Sequence, residues 1–554
     1  MSSMLANMPL MVLQDHGFIV LAIGATILGL LFRAYAATDL PRELSLIREK
    51  PKSKHFSITT RLAFYLHCSS LYRDIWYKFS KIGLPVLVPT LGIRKDVFLP
   101  HSSIKWLLSQ PSSVLGMWEA FNEMFQLGHS LGHEKYMLDT WAVDVARHVL
   151  TKDLDTFIEP VREEMQLAVD ELLRADTENW QTVDLLDTMR MIINRVGSRF
   201  VVGKSLCRDE GYLSAAVTSL ESIVVNAGVT GFMPPFLRPL FGRLACWNTQ
   251  KVLQDLETRC STMLEDRFAH IAANPDDESQ DPSDLLQRML RRAQHHRASE
   301  MTLDQMTRRL VMANLGFIYQ ASFAASNMLR NILESDQEHD TVRVLRDEAQ
   351  RFSAAAGNDP SRLWTRQNIA NMVCADSVAR ESLRLNTVPT RALVRQVMVD
   401  GLHTDTGVPL PRGALVSFVS QPMHTDPDHF PNPHAFEPFR FAQLRQDEAE
   451  AEAHRGAHPS DASVKATEDA GGSWSPHAFL STANLLIFGR GRNSCPGRYL
   501  VDFQLKMLIS HLLSNYDIKF ADGQESRPES KWLLEFIYPQ KGIKMMVKRR
   551  VVGE

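Results

Sequence analysis

The chain has 554 residues, with 61 Lys and Arg against 64 Asp and Glu, and a formal net charge of −3. This near-neutral balance excludes the strongly basic surface of a typical nucleic-acid-binding protein, so no nucleic-acid partner is predicted. The six cysteines form no C-x-x-C pair, which argues against a zinc ribbon or a disulfide framework and for free thiols in a reducing compartment.

The N-terminal region contains an uncharged run at residues 17–32, GFIVLAIGATILGLLF, which Arg33 and the following AYAA can extend. No Lys or Arg precedes this run and six follow it by residue 54, so the positive-inside rule predicts a retained single-pass anchor with the rest of the chain in the cytosol. A cleaved signal peptide is the alternative, but the run lacks a basic n-region. We therefore predict an anchor at 1–37 and a linker at 38–60.

The body of the chain has the periodicity of amphipathic helices, for example at 161–174 and 252–271. Residues 302–334 contain no proline and are mostly apolar, which predicts one long buried helix that Gly316 could distort locally. Strand signals cluster at 391–419, where ALVRQVMV and ALVSFVS flank the turn-rich DGLHTDTGVPLPRG. The predicted fold class is mainly α with a minor β part, in one catalytic domain over 61–554 with a polar surface insertion at about 444–475.

A single cysteine, Cys495, lies in the glycine- and arginine-rich segment FGRGRNSCPGR. The following residues predict a helix, whose N-terminal N–H groups would support a thiolate. Gly489 and Gly491 would let the loop approach a large planar ligand closely. Taken alone, Cys495 favours the ordinary alternative of a buried structural cysteine.

The wider pattern F-x-x-G-x-x-x-C-x-G is formed by Phe488, Gly491, Cys495 and Gly497. It resembles the haem-binding signature of the haem-thiolate monooxygenases, the cytochromes P-450. The resemblance implies haem b as the cofactor and Cys495 as the axial ligand of the haem iron. A thiolate in that position pushes electron density onto the iron and favours O–O cleavage.

Two further motifs are similar to those of the same family and occur in the same order. ESLR at 381–384 places Glu381 and Arg384 on one side of a helix, where a surface ion pair would be the ordinary alternative. FEPFRF at 436–441 contains Arg440, which the resemblance implies completes a buried Glu–Arg–Arg cluster. The resemblance covers roughly residues 60–550 and implies the cytochrome P-450 fold.

Three residues are candidates to bind the haem propionates, because buried carboxylates need charge-assisted donors. The resemblance implies this role for Arg395 and Arg147, although a solvated helix position is the alternative for Arg147. Asn493 occupies the place where relatives usually have His or Arg. It can donate a hydrogen bond there but carries no charge.

The long helix departs from the family pattern, in which an acid–alcohol pair delivers the protons that O–O cleavage consumes. Tyr319 and Gln320 stand at those two positions in GFIYQAS, and Ser322 is a nearby hydroxyl. Neither a phenol nor an amide is a good proton donor at neutral pH. Three outcomes remain open: ordinary oxygen insertion with protons relayed by water or substrate, oxidative coupling, cyclisation or desaturation, and a reaction such as isomerisation.

Family topology also suggests a set of substrate-pocket candidates, each of which could instead be plain core. They are Trp118, Phe121, Phe125, Gly316, Val388, Thr390, Arg391, Leu393, Phe536 and Ile537. Among them Arg391 carries a charge, which would indicate an anionic or carbonyl-bearing substrate if the side chain faced the pocket.

The sequence therefore predicts a membrane-anchored haem-thiolate monooxygenase on the cytosolic face of the endoplasmic reticulum, similar to fungal microsomal enzymes of secondary metabolism. Hydroxylation, epoxidation or multistep oxidation of a small, largely apolar substrate with O2 is expected. No flavin or nicotinamide fingerprint is evident, so the resemblance implies electrons from NADPH through NADPH-cytochrome P-450 reductase, with cytochrome b5 as a further candidate partner. Arg490, Arg492 and Arg498 could form part of the docking face. A non-catalytic haem protein is the alternative from another class.

Overall fold

The computed structural model describes residues 43–551, apart from residues 93, 234, 356, 358–362, 456–484 and 522–529. The predicted anchor at 1–37 lies outside the described residues, as do the start of the predicted linker and the predicted insertion beyond residue 455. The helices, in chain order, are α1 (Ile58–Leu66), α2 (Cys68–Lys78), α3 (Ile104–Ser109), α4 (Met117–Phe125), α5 (Leu127–Ser130), α6 (Lys135–Leu138), α7 (Trp141–His148), α8 (Asp155–Leu173), α9 (Leu185–Val202), α10 (Glu210–Phe232), α11 (Arg238–Ala245), α12 (Trp247–Ala273), α13 (Leu285–His296), α14 (Leu303–Phe317), α15 (Tyr319–His339), α16 (Thr341–Ala355), α17 (Arg366–Ile369), α18 (Val373–Leu385), α19 (Gln421–His424), α20 (Arg440–Arg455) and α21 (Arg498–Asn515).

The strands are short and form small sheets beside the helices. In chain order they are β1 (Ser45–Leu46), β2 (Val86–Pro89), β3 (Lys95–Phe98), β4 (Leu115–Gly116), β5 (Gln181–Asp184), β6 (Arg391–Val397), β7 (Leu402–His403), β8 (Pro409–Leu410), β9 (Leu415–Val419), β10 (Tyr516–Phe520), β11 (Lys531–Leu533), β12 (Phe536–Tyr538) and β13 (Lys544–Arg549). The largest sheet has the order β1-β2-β3-β9-β6-β4. Its antiparallel β6–β9 pair is the strand pair predicted at 391–419.

The amphipathic helices pack as their periodicity predicts. The apolar side of α8 buries Val161, Met165 and Val169, and α12 buries Leu256 and Leu264 on the same principle. These residues belong to one core that also includes α9, α14, α15, α18 and α21. The mainly helical fold class with a minor β part is confirmed.

The prediction of one continuous helix over 302–334 is wrong in its middle. Helix α14 ends at Phe317, Ile318 has the non-ideal angles φ −109° and ψ −50°, and α15 begins at Tyr319 and continues to His339. Helix α9 packs closely against this break, since a Cβ on Gly197 would lie 3.2 Å from the Phe317 carbonyl oxygen. The Phe317 ring also packs on Phe200, with 5.0 Å between ring centroids. We attribute the break to this close helix–helix contact, beside the permissive Gly316.

Two other segments bear on the predicted insertion and on membrane-spanning helices. The first part of the predicted insertion is helical, because α20 continues to Arg455. Among the described residues, one helix, α10, is long and apolar enough to cross a membrane. Half of its most apolar stretch is buried in the protein, so its packing is that of a core helix.

Candidate functional site

The loop before α21 is shaped by its own backbone hydrogen bonds. The Cys495 N–H donates to the Phe488 carbonyl at 2.8 Å, and the Ser494 N–H donates to the Gly491 carbonyl at 3.0 Å. Gly489 and Gly491 have φ angles of +67° and +72°, which other residues rarely adopt. A Cβ on Gly491 would also lie 3.1 Å from a methyl carbon of Leu108. The loop therefore needs glycine here for both conformation and space.

The thiol of Cys495 lies at the start of α21 and is solvent-accessible even though protein atoms surround it. A side chain with both properties faces an internal space. Burial raises the pKa of Cys495, while the N–H groups of Gly497 and Arg498 and the Arg498 charge oppose that rise. Oriented N–H groups of this kind suit a thiolate bound to a positive metal centre.

A buried ion cluster supports this loop. Arg384 donates to both carboxylate oxygens of Glu381, at 2.7 Å each, and Arg440 Nε donates to Glu381 Oε1 at 3.1 Å. The structure thus brings together the three residues of the Glu–Arg–Arg cluster. Satisfying one buried carboxylate with two guanidinium groups makes the arrangement rigid and specific.

His424, which sequence reasoning missed, connects this cluster to the cysteine loop. The His424 carbonyl accepts a hydrogen bond from Arg384 at 2.7 Å, and its ring Nε2 accepts from the Leu486 N–H at 2.9 Å. Burial, with the Arg384 charge, lowers the pKa of His424 to about 3. The ring is therefore neutral and able to accept at working pH.

Arginine side chains converge beside the loop. A bulge in β6 between Ala392 and Arg395 gives Leu393 a φ of +55° and sets the direction of the buried Arg395. Within the part of the chain that the structure describes, the guanidinium of Arg395 donates only to the Val394 carbonyl. Burial, with the Arg492 charge, lowers the pKa of Arg395 to about 10. The buried Arg395, beside a second cation and without a carboxylate partner in the described part of the chain, suits an anionic ligand.

The other candidate propionate partners are placed less favourably. Arg147 is half-exposed on α7 and pairs with Asp144 at 3.2 Å, although its charge also acts on Arg498. Asn493 lies half-exposed in a single helical turn, Gly491–Asn493. Arg498 is buried and donates to the Cys495 carbonyl. The prediction that Arg498 forms part of the docking face is therefore wrong.

The break between α14 and α15 provides an open wall. Gly316 and Gln320 are solvent-accessible in the middle of a buried helix pair, and a Cβ on Gly316 would meet no atom within 4 Å. Both accessible positions therefore lie next to the break, one on each side of it. The side chain of Phe317 reaches within 3.9 Å of where a Cβ of Gly497 would lie, so the break and the cysteine loop are neighbours.

The other two residues of the altered motif point elsewhere. Tyr319 stacks against Phe323 at 4.9 Å, and burial raises the pKa of Tyr319 to about 12. Ser322, the nearby hydroxyl among the catalytic candidates, is buried, and its hydroxyl donates to the Tyr319 carbonyl at 2.8 Å. It lies two residues beyond Gln320 and so on a different side of α15.

The pocket candidates divide into accessible and buried side chains. Trp118, Phe121 and Phe125 are half-buried on α4, with 6.1 Å between the first two ring centroids and 6.2 Å between the last two. Half-buried positions are also found at Val388 and Phe536, whereas Thr390, Leu393 and Ile537 are buried.

Arg391 requires a correction. It is buried and paired with Asp96 at 2.7 Å and with Glu535 at 3.1 Å. Two carboxylates already neutralise it, so it offers no free charge to an anionic substrate. Neither carboxylate lies in a recognisable motif. The only signal in the sequence was the position of Arg391 in a mostly apolar segment, because a cation buried there needs acidic partners.

These features match those of known proteins. Residues 136–547 match the family model for cytochrome P450 (P-450), and the chain belongs to the cytochrome P-450 family. It is 37% identical to the cytochrome P-450 monooxygenase pbrC of Penicillium brasilianum and to astC of Aspergillus terreus, over 94% of this chain and of each relative. It is 34% identical to the monooxygenase tenB of Beauveria bassiana over 92% of both chains. The chain is a haem-thiolate monooxygenase and therefore an oxidoreductase.

The residues present fit the haem that this family binds. The accessible thiol of Cys495 can ligate iron, and the glycines at 489 and 491 keep side chains out of the loop. The buried, unneutralised Arg395 suits a carboxylate-bearing ligand such as a haem propionate. Sequence motifs identified the cysteine loop and the ion cluster. They missed Phe317 and His424, for which no short motif exists.

Proposed function

We propose that the chain is an endoplasmic-reticulum monooxygenase that inserts oxygen into a small, largely apolar secondary metabolite, with electrons from NADPH. NADPH-cytochrome P-450 reductase is the proposed electron donor, and cytochrome b5 is a candidate for the second electron. The observation that carries the proposal is the accessible Cys495 thiol beside the open side of the α14–α15 break. The aromatic side chains of α4 support an apolar substrate. The relatives are named monooxygenases, which favours oxygen insertion.

Several residues of the chain would have separate roles in this reaction. Bound haem supplies the iron centre at which dioxygen is activated. Cys495 would be its ligand, held by the N–H groups of Gly497 and Arg498. The accessible amide of Gln320 would hold a water molecule in the cavity and so keep a proton path open. Tyr319, with a pKa of about 12, keeps its proton at neutral pH and could donate a hydrogen bond without losing that proton.

Replacing the ligand tests this proposal directly. Cys495→Ser should abolish the red-shifted CO band that thiolate ligation gives to reduced haem, together with reductase-supported NADPH oxidation. Cys374→Ser is the matched control, because Cys374 is a half-buried cysteine on α18 outside the loop. Normal activity in Cys495→Ser would refute the proposal. Loss of the CO band in both variants would mean that the band reports misfolding and not loss of the iron ligand.

Oxidative coupling, cyclisation or desaturation is a second candidate. It is favoured by one observation, the phenol and amide of Tyr319 and Gln320 where the family has an acid and an alcohol. Turnover under 18O2 separates the two candidates. Label in the product supports oxygen insertion, and an oxidised product without label supports the second candidate.

Membrane attachment is supported by the uncharged run at 17–32 and by exposed apolar side chains on two nearby helices. Ile58, Leu62 and Leu66 are exposed on α1, as are Leu240 and Leu244 on α11. The Gly92 loop lies against the end of α10, and Tyr65 of α1 donates to the Gly92 carbonyl, so α1 lies near the end of α10, which α11 follows in the chain. The full chain should remain in membranes after alkaline extraction, whereas N-terminal sequencing that starts after residue 36 would show a cleaved signal peptide.

A further inference from the structure

Four buried polar side chains from distant parts of the chain meet beside the substrate-pocket candidates. Tyr72 of α2, Asp96 of β3, Arg391 of β6 and Glu535 of the β11–β12 turn are all at least nine-tenths buried. Arg391 Nη1 donates to Asp96 at 2.7 Å, Arg391 Nε lies 3.1 Å from Glu535 Oε2, and Tyr72 donates to the same Glu535 oxygen at 3.1 Å. We call these four residues the Arg391 cluster.

Together with Arg94, the cluster is electrically balanced and does not need a ligand. Asp96 also pairs with Arg94, at 3.0 Å, so two carboxylates face two guanidinium groups. Burial opposes the charge on Arg391, but Glu535 and Asp96 outweigh that effect and raise the pKa of Arg391 above its usual value. The side chain is therefore a fixed cation inside the protein, and its contacts are structural links between chain segments.

The segment that these links hold carries two of the pocket candidates. Strands β11 and β12 form a hairpin whose turn consists of Leu534 and Glu535, and Leu534 has a strained φ of +56°. The Glu535 carbonyl accepts from both the N–H and the hydroxyl of Thr390, at 3.1 and 2.7 Å. The Ile537 N–H donates to the Val388 carbonyl at 3.0 Å. The hairpin is thus attached to the segment before β6 by its backbone and by the Glu535 side chain.

We propose that the Arg391 cluster positions the β11–β12 hairpin, and with it Phe536 and Ile537, and so determines which ligands fit beside the haem. Tyr72, Asp96, Arg391 and Glu535 act in this as positioning residues that do not touch the substrate. The inference rests on the proposed function, because it takes Phe536 and Ile537 to line the pocket. A hairpin of six strand residues has few contacts of its own, so its position depends on such attachments.

The test compares two azoles on the haem-loaded full chain. Imidazole reports access to the haem iron, whereas 4-phenylimidazole also needs room for its ring in the pocket. Glu535→Gln keeps the size of the side chain and removes its charge, so the dissociation constant for 4-phenylimidazole should change by about tenfold. The constant for imidazole should stay within about twofold. Amide hydrogen exchange in a peptide covering 531–538 should become faster.

The matched control is Glu164→Gln. Glu164 is also a buried carboxylate, and it joins α8 to two arginines outside β6 and the β11–β12 hairpin, Arg195 at 2.6 Å and Arg208 at 2.8 Å. This variant should leave the ratio of the two azole constants and the exchange at 531–538 unchanged. If Glu535→Gln does not fold, Tyr72→Phe removes one donor to Glu535 and should shift both readouts in the same direction by less.

The outcomes separate the inference from the proposed function. If imidazole produces no spectral shift even in the unaltered chain, the proposed function fails. If imidazole binds normally, but Glu535→Gln or Tyr72→Phe leaves both 4-phenylimidazole binding and hairpin exchange unchanged, the positioning role is refuted and the proposed function stands. A change in the azole ratio that Glu164→Gln reproduces would also refute the positioning role, because general destabilisation would then explain it.

Discussion

The cysteine loop and the α14–α15 break are neighbours in the structure, but different forces build them. The loop is held by backbone hydrogen bonds, two left-handed glycines and a buried ion cluster joined to it through His424. The break is shaped by close packing of α9 on Phe317 and Ile318, and at its open side a Cβ on Gly316 would meet no atom within 4 Å. The cysteine loop is therefore specified by local chemistry, whereas the open side of the break is specified by long-range packing and is freer to change.

The largest expected effect comes from breaking the support of the loop. Glu381→Ala would leave the buried Arg384 without a carboxylate partner and Arg440 with only Glu437, which should cost about 3–5 kcal/mol of the free energy of unfolding. Urea denaturation and haem content measure the loss. Glu437→Ala is the control, since Glu437 pairs with Arg440 near the surface and should cost at most about 1 kcal/mol. Equal losses in the two variants would contradict the buried cluster.

The second prediction concerns the pH dependence of the same support. The pKa of His424 is lowered to about 3, below the value of about 6.5 for an unfolded histidine. As the pH falls below about 6.5, the unfolded chain binds a proton that the folded chain does not, so stability that is complete above this pH declines by about 1.4 kcal/mol per unit. His424→Gln keeps an acceptor for the Leu486 N–H and should lose this slope between pH 6.5 and 5.

Urea denaturation at several pH values measures that slope. His403→Gln provides the control, because His403 is exposed in the β7–β8 hairpin and should leave the slope as it is in the unaltered chain. An unchanged slope in His424→Gln would mean that carboxylates elsewhere cause the acid sensitivity.

A smaller effect separates the two reasons why the loop needs glycine, which are the positive φ angle and the lack of space for a Cβ. Gly491→Ala must adopt a positive φ and also place a Cβ 3.1 Å from Leu108, so we expect a loss of about 2 kcal/mol. Gly413→Ala has a similar φ of +86° but meets no atom within 4 Å, so about 1 kcal/mol is expected. Denaturant unfolding measures both values. If the two substitutions cost the same, the contact with Leu108 is not a constraint.

The same division explains what the sequence could predict. The Cys495 loop, the Glu381–Arg384 pair and the β6–β9 strands follow from spacing within short segments, and a sequence displays such spacing directly. The break at Ile318 depends on how closely α9 approaches, which the periodicity of 302–334 does not contain. Arg391 was misassigned for a similar reason. Its partners Asp96 and Glu535 are 295 and 144 residues away, and only the fold brings them together.

The smallest expected effect tests whether the open wall carries protons. Gln320→Leu keeps the side-chain size and removes the amide that would hold water, so the peroxide released per NADPH oxidised should rise about threefold, equivalent to about 0.7 kcal/mol. Gln320→Thr should release less peroxide than Gln320→Leu, because a hydroxyl can again hold water. Tyr319→Phe should leave the pH dependence of peroxide release between pH 6 and 9 unchanged, since a phenol with a pKa of about 12 does not titrate in that range. If Tyr319→Phe uncouples the enzyme and Gln320→Leu does not, the proton path runs along the other side of α15, and the open wall serves only to shape the pocket.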